Sequence, residues 1–409
     1  MADFGGTDLD AFRSEAKAWL EANFPASLRR DASAVAETET TGEEPTGDVA
    51  LWKERMGAKG WGVPTWPTQY GGGGLSRAEA RVLAEEMAAL GAPNPIGGMG
   101  VIMFGPTLLE YGNEEQKQRH IPPIAKGELR WCQGFSEPGA GSDLASLSTK
   151  AVDMGDHYLV SGSKIWTSGA HLADWCFCLV RTDPSKKHEG ISFLLIDMKS
   201  PGVEPRPILL INGTTPFCET FFTDVKVPKE NLVGPLNGGW TIAKRLLQHE
   251  RQGISGANAQ PGAAGPGNVP GPSLDVLARD YVGVDEDGRL ADPDLRTRLT
   301  RHLMEARAFQ LTGQRAAMES RSNSGPSAAS SVLKNVGSWV RQDRAELAVE
   351  ILGHQGLGWA GAAFSDNEIG TMRAMLRSKS GTIAGGSQEV QNNIISKRIL
   401  GLPDVTQAR

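Results

Sequence analysis

The hydrophobic spacing of this chain changes twice, and those changes limit its fold more than any other feature. Over residues 7–24, Leu9, Phe12, Ala16, Trp19 and Leu20 recur at helical spacing until Pro25. The acidic, Thr/Glu-rich stretch 31–49 reads as a loop, and a helix resumes near Leu51. Ser76 and Glu79 form a capping-box pattern ahead of a helix from Arg77 to Leu90. A further helix ends near Tyr111, and Glu114 opens another that Pro122-Pro123 is expected to close. From Leu129 to Val233 the pattern becomes β-branched and aromatic runs separated by Gly, Pro, Asp and Ser. Helical spacing then returns from Trp240. It is interrupted by the Gly/Pro-rich stretch 253–272 and continues over 273–282, 292–322, 327–352 and 386–400. The expected class is α+β: a helical domain over 1–128, an antiparallel β domain over 129–233, and a four-helix-bundle-like domain over 234–409.

The 409 residues suffice for two or three domains with a large core. No apolar run reaches the roughly 18 residues of a membrane span, and the N-terminus lacks the pattern of a secretory signal. Cys132, Cys176, Cys178 and Cys218 are too few for a disulfide scaffold, so a cytoplasmic chain with reduced, packed thiols is expected. Cys176 and Cys178 share one strand face, but no second ligand pair makes a metal site. A net charge of −6 gives no reason to expect nucleic acid, and no GxGxxG follows a strand.

Two segments carry chemistry. WCQGFSEPGAGSD (131–143) is a Gly-rich loop with hydroxyls at Ser136 and Ser142, and with Gly139 and Gly141 allowing close backbone approach to a ligand. SGSKIWTSGA (161–170) sets Trp166 beside Thr167 and Ser168. An indole beside hydrogen-bonding loops suits a flat redox-active ring. In this order the two segments resemble the flavin-binding segments of the acyl-CoA dehydrogenase family. The wording CQGFSEPGAGSDLASL is most similar to a bacterial branch that includes pimeloyl-CoA dehydrogenase large subunits.

The resemblance implies bound FAD and its contacts. Phe135 and Ser136 would meet the isoalloxazine, and Ser142, beside Gly141, would meet the phosphates or the CoA entrance. Trp166 would lie near the dimethylbenzene side and Ser168 near N5; Thr167 stands where the family has an apolar residue, so either hydroxyl could fill that role. AVEILGHQGLGW resembles a segment that reaches a neighbouring subunit's FAD. Gly353 and Gly356 match it, while Glu350 replaces Gln and His354 replaces Gly. Ser387 and Glu389 match C-terminal FAD contacts, with Gln391 and Asn392 one turn on. The family's Arg-x-x-Phe-Gly segment is missing; Asp292, Pro293 and Arg296 form a pattern shared with the bacterial branch.

Removing an α-proton from an acyl thioester needs a base, and a carboxylate in an apolar pocket is suited to it. Much of the family carries this Glu in a C-terminal segment, where the present chain has Gly385. Another branch carries it as a Glu-Arg pair on the first helix after the β domain, which here is Glu250-Arg251. Glu250 is therefore the expected base with Arg251 its neighbour, while His249 points about 100° away. The resemblance further implies an acyl-CoA substrate, transfer of electrons to an electron-transfer flavoprotein, a part in fatty acid metabolism, and a homodimer or homotetramer. A flavin oxidase or monooxygenase on the same fold, or a non-catalytic subunit of a hetero-oligomer, are the alternatives.

Overall fold

The computed structural model describes residues 6–29, 32–35, 44–254, 273–322 and 330–403. The chain divides into two compact units. The first holds the N-terminal helices, the sheet and the next helix as far as Glu250; the second holds the later helices and the short segment Leu209–Thr214.

In the first unit, the leading amphipathic stretch forms α1 (Gly6–Asn23), followed by α2 (Gly47–Lys59), α3 (Arg77–Leu90), α4 (Gly105–Tyr111) and α5 (Glu114–Ala125). The capping box starts α3 as expected: Glu79 N–H donates to Ser76 Oγ at 3.2 Å and Ser76 N–H to Glu79 Oε2 at 2.8 Å. Pro122 and Pro123 do not close α5, which runs on to Ala125. Each proline removes one hydrogen bond, but Ile121, Ile124 and Ala125 are almost fully buried, and their packing outweighs that loss. A π-helical turn at Gly100–Phe104 leads into α4. Its exit requires Gly105, where a Cβ would stand 2.1 Å from the Trp66 ring.

Eight strands follow: β1 (Trp131–Gly134), β2 (Lys150–Asp153), β3 (His157–Ser168), β4 (Trp175–Arg181), β5 (Ile191–Asp197), β6 (Val203–Ile208), β7 (Phe217–Pro228) and β8 (Leu232–Val233). The sheet order is β6-β7-β3-β2-β4-β5-β8, with β1 also on β4. The expected antiparallel pairing holds for most ladders, including β3 on β7 and β4 on β5. The exceptions are β1, which runs parallel to β4 with Trp131 opposite Trp175, and a single parallel bridge from Lys150 to Arg181. Side chains alternate across the strands. Trp131, Phe135, Phe177 and Phe193 join Phe104 in one core, while Cys132, Cys176, Cys178 and Cys218 lie in the other, all four as free buried thiols.

Helix α6 (Gly239–Ile254) packs Ile242, Ala243 and Leu246 into the aromatic core. The Gly/Pro-rich stretch after it, 255–272, lies outside the described residues. The second unit contains α7 (Leu274–Tyr281), α8 (Pro293–Ser322), α9 (Ser330–Leu352), α10 (Asp366–Ser378) and α11 (Gln388–Ile394). Leu274, Leu277, Leu295, Leu299, Leu347 and Ile351 form its core. α10 falls outside the helical stretches expected from the sequence, although Ser365 and Glu368 carry a capping box with both hydrogen bonds made. Among the described residues no helix is long and apolar enough to cross a membrane.

Candidate active site

The two motif segments are joined in the first unit by a buried ion pair. Lys164 Nζ lies 2.8 Å from Glu137 Oε1, with the lysine side chain 0% and the glutamate 5% exposed. Lys164 also donates to the Phe135 carbonyl at 3.2 Å, and Ile165 N–H donates to the Ser136 carbonyl at 2.8 Å. Glu137 accepts further bonds from Ser148 N–H, Ser148 Oγ and Thr149 N–H. Burial alone would raise this carboxyl, but the Lys164 charge and these donors hold it at about 2. The loop is thus fixed to the strand by Glu137 and Lys164. Both residues lie inside the two motifs, but a buried pairing across 27 residues leaves no local pattern from which their roles can be read.

A bulge between Lys164 and Thr167 in the β3–β7 ladder turns the strand outward. Trp166 occupies it at φ 61°, a conformation uncommon for any residue with a Cβ, and its indole is 54% exposed. Ser168, two residues on, is half-buried. Thr167 falls on the opposite face, fully buried, its hydroxyl without a partner. Of the two hydroxyls beside Trp166, that of Thr167 is buried and that of Ser168 belongs to a half-buried residue. The Phe135 ring is also turned inward, edge-on to Phe177 and Phe193. Ser136 is half-buried, and Gly141 and Ser142 are exposed. A Cβ at Gly139 or Gly141 would meet nothing within 4 Å. An open indole, a neighbouring hydroxyl and an unobstructed Gly-rich backbone fit the ring and the polar chain of FAD.

On α6, Glu250 and Arg251 stand in the helix, but their side chains lie outside the described residues. The turn before them is described. Arg245 donates from Nε (2.8 Å to Oε2) and Nη2 (2.7 Å to Oε1) to Glu110 of α4, and His249 Nε2 lies 3.4 Å from the same carboxylate. Burial, together with the nearby Arg245 charge, lowers the His249 pKa from its ordinary range. His249 Nε2 is buried and makes no hydrogen bond among the described residues, its approach to Glu110 being an ion-pair distance only.

In the second unit, Glu350 is not a lone anion. Arg298 of α8 forms a two-point ion pair with it, one contact at 2.8 Å, and also reaches Asp294. Gly353 takes φ 56°, and Gly356 is buried where a Cβ would meet the Val349 carbonyl at 2.5 Å. Ser387 caps α11, its hydroxyl accepting from Val390 N–H at 3.4 Å; Glu389 is exposed in the first turn. Gln391 is buried and donates to the Gly385 carbonyl, and Asn392 accepts from Asn335. Gly385 is open, at φ 69°, so no carboxylate comes from that position.

Comparison with known proteins is consistent along the whole chain. The acyl-CoA dehydrogenase N-terminal, middle and C-terminal domain descriptions match residues 7–128, 132–225 and 237–400. Acyl-CoA dehydrogenase IpdE1 of Mycobacterium tuberculosis is 37% identical over 408 residues, covering 97% of this chain and 98% of that protein. Among solved structures, the Tcur3481-Tcur3483 steroid ACAD shares 31% identity with a TM-score of 0.73, over 98% of this chain and 100% of that one. The ChsE4-ChsE5 complex from Mycobacterium tuberculosis shares 30% identity with a TM-score of 0.71, over 99% and 100%.

Proposed function

The chain belongs to the acyl-CoA dehydrogenase family of FAD-dependent oxidoreductases, and on that premise we propose that it converts an acyl-CoA thioester to the 2-enoyl-CoA. When bound, FAD supplies the hydride acceptor for the β-carbon. Glu250 takes the α-proton onto its carboxylate, and Arg251 supports charge and position beside it. Ser168 and the backbone of Phe135 and Ser136 orient the ring's polar edge, Trp166 covers its other end, and Gly141 and Ser142 leave room for the phosphates. Glu350, Gly353, Gly356, Ser387 and Glu389 serve an FAD of a neighbouring subunit, with Arg298 neutralising the Glu350 charge. That arrangement makes the active form at least a dimer. Electrons then pass to an electron-transfer flavoprotein.

The observation that carries this reading is Trp166, held exposed at positive φ on a strand fixed to the SEPGAGSD loop by Lys164 and Glu137. The likeness to a steroid ACAD makes a steroid-derived, bulky cyclic acyl group the first substrate to try. Anaerobic mixing with a panel of linear and cyclic acyl-CoAs tests the proposal. Loss of the oxidised-flavin band with one member supports it, and a yellow protein that none of them bleaches overturns it.

A second reading makes the chain one subunit of a hetero-oligomer. Gly385 in place of a carboxylate and a neighbour solved as a two-protein complex favour it. Full FAD content of the chain expressed alone would count against it.

A further inference from the structure

We propose that Glu110 is a positioning residue, which acts through its hydrogen bonds to Arg245, with His249 close by, to fix the turn of α6 that carries Glu250. The proposal rests on Glu250 being the base.

Arg245 and His249 are four residues apart and so lie on one stripe of the helix. Both converge on a single carboxylate supplied by α4. Arg245 meets it through Nε at 2.8 and 3.1 Å and through Nη2 at 2.7 Å, and His249 Nε2 approaches at 3.4 Å. Arg245 Nη1 also donates to Gln248 Oε1 at 3.0 Å, adding a contact within the same turn. The anchor is itself rigid: Leu108 of α4 is fully buried, and Gly105 is pressed against Trp66. Core packing holds α6 through Leu246 and the partly buried Leu247; the Glu110–Arg245 pair adds a polar tie from this end of the helix to α4. One residue later the chain rises 1.5 Å and turns 100°, so a displacement at His249 passes directly to Glu250.

Arg245 and Glu110 are each more than a third exposed, and such pairs add little to global stability. What the two-point geometry supplies is direction. Catalytic rate depends steeply on the placement of the reacting group, about 1 Å being enough for a hundredfold loss.

The test uses the FAD-loaded protein carrying Glu110→Ala and Glu110→Asp, with hydrogen exchange of residues 245–254 and acyl-CoA kinetics measured together. In Glu110→Ala, exchange in this stretch is expected to rise about tenfold and kcat to fall about tenfold, with KM within about twofold. Glu110→Asp is expected to restore part of both, and Glu110→Ala combined with Arg245→Ala to be no worse than the poorer single variant. Unchanged exchange in Glu110→Ala overturns the clamp. Faster exchange with unchanged kcat overturns the positioning role. If the unmodified protein bleaches with no acyl-CoA, the Glu250 assignment fails, and the positioning role falls with it; exchange then reports only whether Glu110 holds the helix.

Discussion

Lys164 Nζ stands 2.8 Å from Glu137 Oε1, and neither side chain is more than 5% exposed. This pair joins the loop and the strand that together form the flavin-facing part of the proposed site. Lys164→Met leaves the Glu137 carboxylate buried without its cation and is expected to destabilise the protein by roughly 3–5 kcal/mol. Urea unfolding checks this, and a loss below about 1 kcal/mol would show that Ser148 and Thr149 suffice for Glu137.

The same carboxyl sets an acid limit. Its folded pKa, about 2, lies below the ordinary 4.5, so its contribution is complete above the unfolded value. It is lost as pH falls from there toward 2. His120 adds a second acid-labile step. Its ring is 1% exposed and edge-on to Trp131 and Trp175, and burial, with a smaller effect of Arg119, lowers its pKa to about 4. The folded state keeps it neutral, so its stability is intact above 6.5 and declines as pH falls from 6.5 toward 4, by about 3 kcal/mol in all. His120→Phe is expected to flatten unfolding free energy against pH across that window. A slope unchanged from that of the unmodified protein would contradict the assignment.

In the proposed site, Thr167 is expected to serve structure and Ser168 to meet the flavin. The Thr167 hydroxyl is buried without a partner, so Thr167→Val is expected to stabilise the protein by about 1 kcal/mol and leave the flavin spectrum unchanged. Ser168→Ala is expected to leave stability nearly unchanged, shift the flavin absorption, and slow reduction by about tenfold or more. Absorption spectra and thermal unfolding of the two variants decide it. A flavin shift in Thr167→Val alone would reverse the two roles.

Local signals predict the fold well where they are complete. Ser76 and Glu79 mark the start of α3, and the change of period after Leu129 marks the sheet. The signals fail where distant packing decides. Pro122 and Pro123 continue α5 because Ile121 and Ile124 are buried against the aromatic core, and β1 runs parallel to β4, a pairing between segments with no shared turn. The start of α10 carries a local signal as complete as that of α3, the capping box at Ser365 and Glu368. In the candidate site, Trp166 is legible as an indole beside hydroxyls. Its positive φ is not, since the bulge arises from the register against β7. The Glu110–Arg245 pair spans 135 residues and has no sequence signature at all.

The most direct test of the account is single-turnover reduction, anaerobically, of the unmodified protein and of Glu250→Gln by the acyl-CoA that bleaches the former fastest. With the base removed, flavin loading is expected to stay the same and the bleaching rate to fall by at least about a hundredfold. Bleaching of Glu250→Gln at the unmodified rate would contradict the assignment of Glu250 as the base.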